Sequence, residues 1–445
     1  MRYAHIIGWG KFAPEKVMTN DDLSKYVNTS DTWIRERTGI RQRHIAGPRD
    51  SAATMAVAAA LEALDVANIS AAQIGLIIVA TSTPDYTFPA TACMVQDALG
   101  ADNAGAFDLS AACSGFVYGL SLAADAIKAH SIEYALIIGS ETMTRIVDWS
   151  DRNTCVLFGD GAGAIVLQGS EQPGGILATA LHSDGSGGET LSLRHNYREQ
   201  PFPMSAHDGA AAAAAGAPGA TAAVPSSTLD DRAAAASAAS VYTGNIYMNG
   251  REVFRFGTRI LAGATREVLN KAGWEVGDID ILIPHQANIR IIEAASKSLA
   301  MPLDKFYCNI DRYGNTSAAS IPLAICEAAS EGRLRPNDKV VMVGFGAGLT
   351  WASAALQWGT PRVLNRTNRT LNRVRTSIAN IRSRARRELR HIEDRLFGTI
   401  DPSATSTTIS APPPANPPGR NGTSAGVDHA RTATRETEPA DKSTN

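Results

Sequence analysis

The sequence predicts an α/β layered fold, on three observations. Short apolar runs recur, as in Leu76-Ile77-Ile78-Val79-Ala80, Tyr134-Ala135-Leu136-Ile137-Ile138 and Val340-Val341-Met342-Val343, the pattern of strands buried on both faces. Each follows a stretch of helical period, and such stretches cover Ala52 to Val66, Ser114 to Ala129, Gly257 to Ala272 and Ile289 to Ala300. An internal echo links Gly159-Asp-Gly-Ala-Gly163 before an apolar run with Gly344-Phe-Gly-Ala-Gly348 before another, as if each of two halves ended in a Gly-rich hairpin. A dinucleotide site would need G-x-G-x-x-G opening a helix and a later acidic residue, a poor match to either run.

A chain of 445 residues can hold two similar halves around one core within its first 360. The expected divisions are 1–170 and 171–360 for the halves, with an Ala-rich, low-complexity insertion at 205–240 that cannot form a core of its own. Residues 361–398 read as a basic amphipathic helix, with eleven Arg against three acids from Arg362 to Phe397. Its apolar positions Leu371, Val374, Ile378, Ile381, Ala385, Leu389, Ile392 and Leu396 recur every three or four. Such a helix packs on the body or on a twin chain, or offers a surface to an acidic partner or an anionic membrane. Residues 399–445, rich in Pro, Ser, Thr and Gly, read as disordered.

Net charge of −2 gives no reason to expect a nucleic-acid partner. Five cysteines without close pairing read as reduced thiols, and neither a signal peptide nor an apolar run of membrane-spanning length occurs, so a soluble cytoplasmic protein is expected. No Cys/His spacing suits a metal.

Three places carry chemistry. In Phe107-Asp-Leu-Ser-Ala-Ala-Cys113-Ser-Gly-Phe, a strand-like run turns through small residues into a helix, and a cysteine at a helix N-terminus meets unpaired N–H groups that favour its thiolate. Cys93, Cys155, Cys308 and Cys326 lack this setting and read as structural. His285 ends the apolar run Ile281-Leu-Ile-Pro284, at the carboxyl end of a strand where α/β active sites gather. Asn315 lies in Tyr313-Gly-Asn-Thr-Ser-Ala-Ala-Ser320, a turn into a small-residue helix, where an amide can donate to an oxygen gaining negative charge. Taken singly, each is as well explained as a cap or a satisfied core group.

Together they closely resemble the β-ketoacyl-acyl-carrier-protein synthase III family, over residues 1 to about 360. The motifs are Thr29-Ser-Asp-Thr-Trp-Ile-Arg-Glu-Arg37-Thr-Gly-Ile, Phe158-Gly-Asp-Gly-Ala-Gly, Pro284-His-Gln-Ala-Asn-Ile-Arg290, Gly314-Asn-Thr-Ser-Ala-Ala-Ser and Gly346-Ala-Gly-Leu-Thr-Trp351. The resemblance implies a five-layered αβαβα thiolase-like fold, usually a homodimer, with a Cys113-His285-Asn315 triad. Cys113 would take an acyl group from acyl-CoA. Malonyl-acyl carrier protein would then lose carbon dioxide and attack, initiating fatty acid synthesis with no cofactor and no metal.

The family's oxyanion hole maps to the backbone N–H groups of Cys113 and Ala347, the latter where relatives commonly carry Gly. Trp33, Arg37 and Arg152 match contacts to CoA, and Phe88 matches a residue that crosses the dimer to bound the acyl pocket. Arg255, Gln286, Ala287, Asn288, Ile289, Arg290 and Lys297 fall where the family meets its acidic carrier protein. A sibling enzyme of polyketide-like biosynthesis would use the same triad, and a non-catalytic interaction module would use the basic tail. A degradative thiolase is disfavoured, because Gly344 to Trp351 lacks a second cysteine.

Overall fold

The computed structural model describes residues 1–194 and 244–359, and beyond them positions 374, 378, 381, 385 and 389. The elements in chain order begin with β1 (Tyr3–Phe12), β2 (Val17–Thr19), α1 (Asn20–Leu23), α2 (Asp31–Thr38), β3 (Gln42–His44), α3 (Ala52–Ala67), β4 (Leu76–Ala80) and α4 (Thr91–Leu99). Then come β5 (Gly105–Leu109), α5 (Gly115–Lys128), β6 (Tyr134–Thr142), β7 (Asp160–Ser170), β8 (Gly175–Ser183) and β9 (Leu191–Ser192). The last are β10 (Tyr247–Met248), α6 (Gly250–Ala272), β11 (Ile281–Pro284), α7 (Ile289–Leu299), α8 (Ile310–Tyr313), α9 (Ser320–Ser330), β12 (Lys339–Gly346) and β13 (Thr350–Gln357).

Two sheets dominate. The first has the order β1-β7-β6-β4-β5 and the second β11-β12-β13-β8. Within the first, β4 pairs parallel with β5 and β6, while β7 runs antiparallel to β6 and β1. The second repeats the scheme: β11 and β12 are parallel, and β13 is antiparallel to β12 and β8. The halves are therefore duplicates in topology, with β1, β7, β6 and β4 answering to β8, β13, β12 and β11.

Side-chain alternation assigns the layers, since successive residues of a strand face opposite ways. Ile77, Val79, Leu136 and Ile138 pack outward with Met55, Ala59 and Ala63 of α3. Their neighbours Ile78 and Ile137 face inward, into the cluster that holds Phe116 and Leu120 of α5 and Ile321 and Ile325 of α9. Val340 and Met342 close that cluster from the second sheet, whereas Val341 and Val343 turn to Leu261 and Val268 of α6 and Ile292 of α7. This is the five-layered αβαβα arrangement, with α5 and α9 between the sheets. Burying each of these aliphatic side chains contributes roughly 1.5–3 kcal/mol, which is why both faces of each central strand are apolar.

The expected hairpin symmetry holds in only one half. Gly346 to Gly348 do join two antiparallel neighbours, β12 and β13. Gly161 and Gly163 instead lie along β7, and the link from β6 to β7 is long. Here the glycines admit a neighbour: a Cβ at Gly163 would lie 2.7 Å from the backbone nitrogen of Leu323, and one at Gly139 would lie 2.2 Å from the carbonyl of Ala318. Two halves press the α9 segment against β6 and β7 too closely for side chains.

Among the described residues no helix is long and apolar enough to cross a membrane, and no cluster of His, Cys, Asp and Glu could hold a metal. The insertion at 205–240 and the segment 399–445 lie outside the described residues, as does most of 361–398. Val374, Ile378, Ile381, Ala385 and Leu389 are helical and exposed.

Candidate active site

Cys113 stands between β5 and α5, in a single 3-10 turn, and is buried. Three small or strained neighbours make room for it. Ala112 on one side and Ser317 opposite hold φ of +45° and +48°, left-handed values that cost a non-glycine residue roughly 1–3 kcal/mol. Gly346 faces the sulfur: a Cβ there would lie 2.8 Å from the Cys113 nitrogen and 3.2 Å from Sγ. The second Gly-rich run is thus required by the approach of the β12 end to Cys113.

Burial in this pocket pushes the Cys113 thiol up to about 12. Burial thus opposes the thiolate that the helix N-terminus favours, while the hydrogen bond to Ser317 supports it.

His285 follows β11 directly, as expected, and its Nδ1 lies 2.7 Å from the Ser320 hydroxyl at the start of α9. Its ring meets Phe345 edge-on at 5.2 Å. Burial lowers its pKa to about 3, so the imidazole is neutral. Asn315 is bridged to Phe158, and its Oδ1 accepts from the Ser317 N–H at 2.8 Å. With Oδ1 taken, the amide presents Nδ2, a donor.

Cys113, His285 and Asn315 all line one cavity of about 330 Å3, whose wall is otherwise largely apolar, with Met143, Ile146, Phe158 and Ile246. Ala347 lines it too, and the Thr350 hydroxyl ties its loop to that of Cys113, 2.8 Å from the Ala347 carbonyl and 3.0 Å from that of Ala111. Ala347 is not among the residues with positive φ, so alanine in place of glycine imposes no left-handed strain. A thiol, a neutral ring with one nitrogen free and an amide donor thus converge on an apolar pocket.

Residues 107–185 match the family described as 3-Oxoacyl-[acyl-carrier-protein (ACP)] synthase III, and residues 269–358 match its C-terminal part. The chain is 44% identical over 354 residues to the beta-ketoacyl-[acyl-carrier-protein] synthase III of Roseiflexus sp. (strain RS-1), which covers 80% of this chain and 98% of the relative. It belongs to the 3-oxoacyl-[acyl-carrier-protein] synthase III family. Among solved structures, the synthase III from Aquifex aeolicus VF5 is similar with a TM-score of 0.68 and 42% identity, over 80% of this chain and 100% of that one. The priming beta-ketosynthase from the R1128 polyketide biosynthetic pathway has the same TM-score, 0.68, at 34% identity over 81% and 97% of the two chains. Membership of the synthase III family makes the chain an acyltransferase of the condensing type.

The remaining positions expected of a synthase III fall into three groups. Trp33, on α2, carries the Arg152 guanidinium 4.7 Å and the Arg37 guanidinium 5.8 Å from its ring centroid, and Arg152 also donates to the Asn28 carbonyl at 3.1 Å. The three therefore meet as one basic aromatic cluster. Asn288 donates to the Arg37 carbonyl at 3.0 Å, which links that cluster to the start of α7.

Of the expected carrier-facing residues, Arg255, Arg290 and Lys297 are exposed, and Arg290 lies over Phe254 at 5.4 Å, joining the surfaces of α6 and α7. Ala287, Asn288 and Ile289 are partly buried, Asn288 as the cap that accepts from Arg290 N–H. Gln286 is a correction. It is 1% exposed, with Nε2 donating to the Pro284 and Tyr307 carbonyls and Oε1 accepting from Asn309 N–H, so its side chain has no free face for a partner. Arg251 and Arg259, four residues to either side of Arg255, are also exposed and share its face of α6. Phe88, in the loop between β4 and α4, is 85% exposed and does not line the cavity of its own chain.

Proposed function

We propose that the chain joins an acyl primer from acyl-CoA to malonyl-acyl carrier protein, through an acyl-thioester on Cys113, and so starts fatty acid synthesis. The convergence of Cys113, His285 and the Asn315 amide on one largely apolar cavity is the observation that carries this reading. In the first half, Sγ attacks the thioester carbonyl, the oxyanion meets the N–H groups of Cys113 and Ala347, and CoA departs.

In the second half, malonyl-acyl carrier protein loses carbon dioxide, and the electron pair of the broken bond passes into an enolate. His285 Nε2 and Asn315 Nδ2 hold the enolate oxygen as neutral donors, a role that fits a ring whose pKa burial has lowered to about 3. The carbanion attacks the acyl-cysteine carbonyl, Cys113 leaves as thiolate, and 3-oxoacyl-acyl carrier protein is released.

Trp33, Arg37 and Arg152 take the nucleotide end of CoA by stacking and charge. Arg255, Arg290 and Lys297, joined by Arg251 and Arg259, steer the acidic carrier protein. Exposed Phe88 reaches the acyl cavity of a second copy in a homodimer, and the Arg-rich segment after residue 360 offers a surface to an acidic partner or membrane. The identities of 44% to the Roseiflexus synthase III and 42% to the Aquifex one exceed the 34% to the polyketide priming enzyme, which favours the fatty-acid role. Incubation with acyl-CoA and malonyl-acyl carrier protein should yield the 3-oxoacyl product. In His285→Ala and Asn315→Ala the acyl-enzyme should still form while condensation collapses; undiminished condensation in both would refute the assignment.

A further inference from the structure

Condensation as described leaves one step without a named partner: the Cys113 thiol must lose its proton as it attacks. His285 is poorly placed for this, because its Nδ1 is bound to Ser320 and its burial makes it a weak base. The sulfur has a different neighbour. Cys113 Sγ lies 3.5 Å from the Ser317 hydroxyl.

Behind Ser317, near the end of β6, lies Glu141, fully buried. One oxygen, Oε2, accepts from Thr83 Oγ1 at 2.7 Å, Ser82 N–H at 3.0 Å and Thr81 Oγ1 at 3.3 Å. The other, Oε1, accepts from the N–H of Ala318, the residue next to Ser317, at 3.4 Å. Burial raises the Glu141 pKa above its ordinary 4.5, which makes it a better proton acceptor, while hydrogen bonds from Thr83, Ser82, Ser317 and Ala318 work against that rise. A buried carboxyl group surrounded by neutral donors, with no cation among these contacts, is an unfavourable way to fill a core and needs a reason. Its reason is at hand in the sulfur one hydroxyl away.

We propose that Ser317 and Glu141 receive the thiol proton of Cys113 during acylation. As Sγ bonds to the thioester carbonyl carbon, the S–H proton passes to Ser317 Oγ, and the Ser317 hydroxyl proton passes to the Glu141 carboxylate. The carbon–sulfur bond to CoA then breaks, and the departing thiolate takes the proton back along the same path. Glu141 is restored as carboxylate and no electrons are gained or lost. Ser317 touches the reacting sulfur; Glu141 acts through it and is a positioning residue. The inference rests on the reading of Cys113 as an acyl-accepting nucleophile.

The groups facing Glu141 from the elements packed on it are few. Thr81, Ser82 and Thr83 after β4 and Ser317 and Ala318 before α9 bring only hydroxyl and N–H donors, and Cys113 is the titratable group among its neighbours. Asp160 on β7 pairs with Thr142, so it faces the other side of the strands, where Thr144 and the Ala46 N–H hold it.

The test is the pH dependence of Cys113 alkylation by iodoacetamide in the full-length protein, followed by peptide mass spectrometry and paired with acylation by acyl-CoA. In the wild type the rate should rise along an acid limb and be appreciable at pH 7. Ser317→Ala and Glu141→Gln should each slow it at that pH by about 100-fold and replace the limb with one at the alkaline pH where an isolated buried thiol ionises. The double variant should be no slower than either single one, and Glu141→Asp should recover part of the rate. A pH profile unchanged in both single variants, or losses that multiply in the double variant, would overturn the proposal. Should Glu141→Gln fail to fold, judged by its melting curve, Ser317→Ala decides alone. An acyl-CoA that leaves the wild type unmodified would count against the synthase reading and leave the alkylation result standing.

Discussion

The 2.7 Å contact between His285 Nδ1 and the Ser320 hydroxyl decides which imidazole nitrogen is free for chemistry. A neutral ring can donate from Nε2 only if Nδ1 is the acceptor, so Ser320 must be the donor. Ser320→Ala should therefore slow decarboxylation of malonyl-acyl carrier protein by about tenfold, the worth of one ordinary hydrogen bond. Acylation of Cys113 should proceed unchanged, and single-turnover measurements of the two half-reactions separate the effects.

Gly346→Ala tests the packing of the nucleophile. The new methyl group would meet the Cys113 nitrogen at 2.8 Å and its Cβ at 3.0 Å, both attached to backbone that cannot swing aside. Overpacking of this kind typically costs about 1–3 kcal/mol. A lower melting temperature together with lost acylation is expected, and unaltered values of both would show that the two loops do not pack this tightly.

Glu327, on α9, holds the segment that leads into Asn315. It accepts from Lys11 at 2.8 Å, Arg312 at 2.6 Å, Asn309 at 2.9 Å and Tyr313 at 2.7 Å. Burial opposes its ionisation, but Lys11, Asn309 and Tyr313 together outweigh it and hold the carboxyl below its ordinary 4.5. The native state thus binds fewer protons than the unfolded chain near pH 4.5. Its stabilisation is complete above that pH and is lost as pH falls through the lowered value. Glu327→Gln should cost roughly 1–3 kcal/mol at pH 7 and flatten the acid side of the stability profile, measured by denaturant unfolding across pH.

Charge reversal at Arg255 or Arg290 should raise the KM for malonyl-acyl carrier protein by about tenfold or more, most strongly at low salt. Acylation by acyl-CoA should hardly change. Trp33→Ala should do the opposite, weakening use of CoA by about tenfold with little effect on the carrier protein, since stacking and cation–π contacts contribute about 1–2 kcal/mol. Steady-state kinetics with each substrate varied in turn checks both.

The fold was legible because its signals are local, whereas Cys113, His285 and Asn315 stood out as a set only through the family resemblance of the motifs that hold them. Ile77 and Ile78, or Val340 and Val341, are adjacent apolar residues that serve different layers, so an uninterrupted run announces a strand covered on both sides. Cys113, His285 and Asn315 each sit at an element boundary marked by small or polar residues. What stayed hidden depends on partners distant in sequence. Glu141 reads as one polar residue in a strand until Ala318, from the other half, is brought against it. Gln286 sits in the same motif as His285 and looks equally available, yet Tyr307 and Asn309 enclose it. Gly161 and Gly163 resemble a turn, whereas their lack of side chains serves the approach of Pro322 and Leu323.

Acyl transfer to Cys113 is the step on which everything else depends. Purified protein incubated with acetyl-CoA and with longer or branched acyl-CoAs, in the absence of carrier protein, should show an acyl adduct by intact mass spectrometry. Peptide mapping should locate it at Cys113, and it should vanish in Cys113→Ala. An adduct that persists in that variant, or none with any acyl-CoA, would contradict the account.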